Sequence, residues 1–60
     1  MSFKPRTGDL VKYLSRTLLV VGTPYPTNAP LYELWVDTIE IDENIFRKVR
    51  CDTLTLIQRA

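Results

Sequence analysis

Apolar and polar residues alternate along most of the chain with the period of two that marks strands, and no 3.6-residue apolar period outlasts one helical turn. Residues 9–14 read as a first short strand, introduced by Thr7-Gly8, and 17–23 as a second, rich in β-branched and large apolar types. Residues 24–30 hold three prolines, which lack a donor and fix φ, so this stretch predicts a stiff loop. Strand character resumes over 31–41, ends at the turn cluster Asp42-Glu43-Asn44, and returns over 45–51. A tight turn at Asp52-Thr53 then leads to a closing strand over 54–57. A helix over 47–57 is the competing reading, against which Thr53, Thr55 and Ile57 count.

The alternation also nominates a core. Val11 and Tyr13 share a face, as do Leu18 and Val20, Leu34 and Val36, and Leu54 and Leu56. A bend after Val36 would turn Ile39 and Ile41 inward, and Ile45, Val49 and Cys51 fall in one phase. Five short strands about ten residues apart predict one all-β domain over 1–60, a small closed or nearly closed barrel.

The opening residues Phe3-Lys4-Pro5-Arg6-Thr7-Gly8-Asp9-Leu10-Val11-Lys12-Tyr13 resemble the first strand of small Src-homology-3-like barrels, among them KOW, Tudor-type and YodC-like modules. A lysine, glycine, aspartate and valine phrase turns the chain into the barrel there; here Arg6-Thr7 is an insertion relative to its tightest form. Leu18 to Gly22 is similar to the second strand, and Asp52 to Ile57 to the short turn and closing strand. The resemblance implies a five-stranded Src-homology-3-like barrel that binds nucleic acid, peptides or other proteins. The residues themselves assign the opening phrase a structural role: Gly8 permits a turn conformation that side chains resist, and Asp9 can hydrogen-bond the turn backbone.

Composition narrows the chemistry. The chain has 60 residues, no histidine, one cysteine and a net charge of +1, so it offers no histidine metal site, no Cys–His pair and no internal disulfide. Asp37, Glu40, Asp42 and Glu43 lie close in sequence but sit at a strand end and turn, without a nucleophile, a histidine or calcium-loop spacing. The reading is therefore a non-enzyme with no cofactor and no metal. Cys51 falls in phase with Val49 and reads as a small core hydrophobe in a cytoplasmic protein. No signal-peptide core follows Met1, and the longest apolar run, Leu18 to Val21, is too short to span a membrane.

Charge falls in blocks: +3 over 1–16, −5 over 31–43 and +3 over 44–60. Lys12, Arg16, Lys48 and Arg50 could then form a basic patch, the basis of a weaker nucleic-acid reading. Apolar and aromatic residues out of phase with the core say more. Leu19 and Val21 lie opposite Leu18 and Val20, and Trp35 lies opposite Leu34 and Val36. Tyr25 and Pro26 lie in the proline loop and Tyr32 just after it. A strand apolar on both faces calls for a cover, and Tyr and Trp favour interfaces. A protein partner is the leading expectation, with a homo-oligomer or larger assembly as the structural alternative. Such a chain would suit a small accessory or regulatory protein, for instance a phage protein acting on a host factor.

Overall fold

A computed structural model describes residues 4–26 and 33–60. They form six strands: β1 (Leu10–Tyr13), β2 (Arg16–Val20), β3 (Tyr25–Pro26), β4 (Leu34–Glu40), β5 (Ile45–Arg50) and β6 (Thr55–Gln58). The 3-10 turn Cys51–Thr53 stands between β5 and β6, and no α-helix occurs among the described residues. The competing helix over 47–57 is absent: pairing with β4 holds 45–50 extended, and only the three turn residues coil.

All strand pairs are antiparallel, in the order β5-β4-β2-β1-β6. Short β3 lies on the same edge of β4 as β2, because β5 occupies the other edge from Trp35 to Glu40. The sheet curls over its core without closing, since β5 pairs only with β4 and β6 only with β1. Six strands replace the expected five because Tyr25 and Pro26 pair with Trp35 and Leu34. A proline tolerates such a place where its missing donor is not needed by a neighbour.

Val11, Leu18, Val20, Val36, Val49, Cys51 and Leu54 form the buried core, with Tyr13 and Leu34 packed against it. The expected bend in β4 does not occur. Six consecutive pairs with β5, from Trp35–Arg50 to Glu40–Ile45, keep the strict period of two. Thr38 and Glu40 are therefore buried where Ile39 and Ile41 were expected, and Ile41 is exposed. Both polar groups meet local partners, although Glu40 Oε2 makes only an ion-pair contact and no hydrogen bond among the described residues. Thr38 Oγ1 donates to the Arg47 carbonyl at 3.0 Å, and Glu40 sits between Arg16 Nη1 at 2.5 Å and Arg47 Nη2 at 3.6 Å. Ile45 keeps the phase of Val49 but lies at the hairpin end opposite Glu40, beyond the core, and is exposed. Cys51 leaves the strand for the 3-10 turn yet stays buried. Burial pushes its thiol pKa up, with Asp52 adding to the shift.

The opening phrase works as a clasp. Gly8 has φ +95°, and its N–H donates to the Val20 carbonyl. Fully buried Asp9 accepts from the backbone N–H of Arg6 at 2.9 Å and of Ala60 at 3.0 Å, with Arg59 Nη1 at 3.4 Å. The turn, the end of β2 and the residues after β6 are thereby tied together.

Candidate protein-binding face

The face of the sheet away from the core carries its own apolar row. Cross-strand partners point to the same side, and Leu10 opposes Leu19, Leu19 opposes Ile39, and Ile39 opposes Phe46. Four neighbouring strands thus contribute one apolar residue each, three of them half-buried and Phe46 exposed. Val21 continues this face, its N–H donating to the Asp37 carbonyl. Asp37 and Lys48 oppose each other in the next row, and Tyr25, Trp35 and Arg50 form the row beyond.

The expected contact residues Leu19, Val21, Tyr25 and Trp35 therefore share one face; Pro26 sits exposed beside Tyr25, and Tyr32 lies outside the described residues. The Tyr25 hydroxyl donates to Asp37 Oδ1 at 3.4 Å. Burial first, then the Asp37 charge, raises its pKa. Trp35 is half-buried and outside the core cluster, and its indole N–H is shielded with no hydrogen-bond partner among the described residues. Arg50, opposite Trp35, is held by Asp52 at 2.6 Å and Glu33 at 3.3 Å.

Leu10, Ile39 and Phe46 were missed as members of this face. The signal was available: an unbroken alternation from Trp35 onward places Ile39 with Trp35, and the β4–β5 register then selects Phe46. The basic candidates do not converge. Arg16 is bound to Glu40 and Arg50 to two carboxylates, while Lys12 on β1 and Lys48 on β5 have β2 and β4 between them.

Among the described residues no cluster of histidine, cysteine and carboxylate side chains is placed to hold a metal ion, and no helix is long and apolar enough to cross a membrane. Comparison with known proteins finds no family model, no curated protein and no solved structure that matches this chain.

Proposed function

We propose that this chain is a non-enzymatic protein-binding module of accessory or regulatory type, built on a small Src-homology-3-like barrel. The strand order β5-β4-β2-β1-β6, with a 3-10 turn before the last strand, supports the fold reading. One observation carries the function: the row Leu10–Leu19–Ile39–Phe46 crosses four strands on the face opposite the core. Contiguous apolar surface flanked by polar residues marks a contact site. Trp35 and Tyr25 lie further along the same face, beyond Asp37 and Lys48, and such aromatics supply large contact area at low entropic cost.

The test is affinity capture from the native cell after nuclease treatment, with wild type beside Leu19→Thr and Trp35→Ala. A protein retained by wild type and lost by both variants, with unchanged circular dichroism, supports the face. Capture unaffected by either variant, or material that vanishes on nuclease treatment, overturns it.

A further inference from the structure

Two lysines flank the apolar row Leu10–Leu19–Ile39–Phe46. Lys12 follows Leu10 by two residues on β1, and Lys48 follows Phe46 by two on β5, so both point to the same side of the sheet as the row. Three successive antiparallel pairings run β1 and β5 in opposite directions, which sets the lysines on opposite flanks of the row, one at each end. With strands about 4.8 Å apart and about 3.3 Å per residue, the row is about 14 Å long and the lysines stand about 20 Å apart along a diagonal. Both are exposed, and neither makes an ion pair among the described residues. Asp37, opposite Lys48, accepts from the Tyr25 hydroxyl instead.

Backbone chemistry selects the shape of what covers this row. The two inner strands, β2 and β4, are paired on both sides where the row crosses them, so the face offers side chains and no backbone groups. An extended segment laid across it would leave its own N–H and C=O groups without partners, whereas a helix satisfies its own. One apolar row matches the one apolar stripe of an amphipathic helix. Charge selects the rest: a carboxylate beyond each end of that stripe meets Lys12 and Lys48. A second copy of this chain would bring the same lysines and has no α-helix among its described residues. A phosphate backbone would find an apolar surface between the two cations.

We infer that the partner presents an acidic amphipathic helix, whose apolar stripe lies along Leu10, Leu19, Ile39 and Phe46 and whose terminal carboxylates pair with Lys12 and Lys48. The inference rests on the partner face proposed above and names the chemistry of its occupant. At a rise of about 1.5 Å per residue, a separation of about 20 Å places the two carboxylates about 13 residues apart.

The test uses labelled helical peptides of about 16 residues, with three leucines on one face and a glutamate about one turn beyond them at each end. A second peptide carries lysine at both ends, and a third scrambles the first. Fluorescence anisotropy reads binding, and circular dichroism confirms that each protein variant is folded. Wild type should bind the glutamate peptide, more weakly as salt rises, and the lysine peptide at least about tenfold more weakly, because two contacts turn from attraction to repulsion. The double variant Lys12→Glu/Lys48→Glu should reverse that preference, and Leu19→Thr should weaken both peptides. The inference is overturned by equal binding of the glutamate and lysine peptides, by binding of the scrambled peptide as tight as the first, or by tighter binding of a DNA duplex that the double variant loses. It is also overturned if no peptide binds. Should cellular capture still depend on Leu19 and Trp35 in that case, the face stands and only the acidic helix is withdrawn.

Discussion

Trp35 shows how one residue divides its roles. Its ring lies on the side of β4 away from the core, half-buried, with its N–H shielded and unpaired among the described residues. An unsatisfied buried donor costs about 1–3 kcal/mol, whereas its replacement by an apolar group of similar shape is close to neutral. Trp35→Phe should therefore leave the melting temperature unchanged or raise it, and Trp35→Ala should lower it by removing contact area against Tyr25. A chemical denaturation series on both variants checks this; a large loss with phenylalanine would mean that the indole N–H has a partner after all. The sequence already set Trp35 apart by its phase, but its unpaired N–H depends on which groups surround it and had no sequence signal. Asp9 is the opposite case. A short acidic side chain directly after Gly8 announced a turn hydrogen bond, and Asp9 accepts from the Arg6 N–H. Its second acceptance, from Ala60, joins positions 51 residues apart and was not legible.

Among the elements, local alternation was legible and pairing was not. Val11, Leu18, Val20, Val36 and Val49 all emerged from period-two reading and all are buried. The error in β4 arose from treating Ile39 and Ile41 as obligate core. Whether Glu40 can be buried depends on Arg16 and Arg47, which are supplied by β2 and β5. Pro26 misled in the same way, since a short strand against an edge asks less of the backbone than a central one. The turn before β1 makes a sharper prediction. Gly8 has φ +95°, and a methyl group added at its Cα would stand 2.7 Å from the Ala60 Cβ. Gly8→Ala should cost about 1–3 kcal/mol from the backbone conformation, plus the clash. Adding Ala60→Gly should recover the clash component and leave the conformational one. Denaturant titration of the single and double variants separates the two. Equal stability of the pair would show that the clash contributes nothing.

At the scale of the whole molecule, two ionised carboxylates hold opposite ends of β2. Asp9 lies beside Val20, and Glu40 opposes Leu18 and binds Arg16. Both titrate below their ordinary values: Asp9 chiefly through the Arg6 and Ala60 backbone N–H groups, Glu40 chiefly through its hydrogen bond from Arg16. A carboxylate whose folded pKa is depressed binds protons more readily in the unfolded chain, so its contribution is complete above the unfolded value, about 4, and fades as pH falls through the folded value. The chain has no histidine, and the Cys51 thiol is pushed upward, so neither introduces a side-chain transition just below neutrality. The melting temperature should be nearly flat from about pH 7 to pH 5 and fall steeply below about pH 4. Asp9→Asn and Glu40→Gln should each melt lower at neutral pH and each show a shallower acid limb, because the group responsible for part of the slope is gone. Thermal melts of the three proteins across this range check the argument. A wild-type melting temperature that stays level down to about pH 3 would show that neither carboxylate is held in its charged form by the fold.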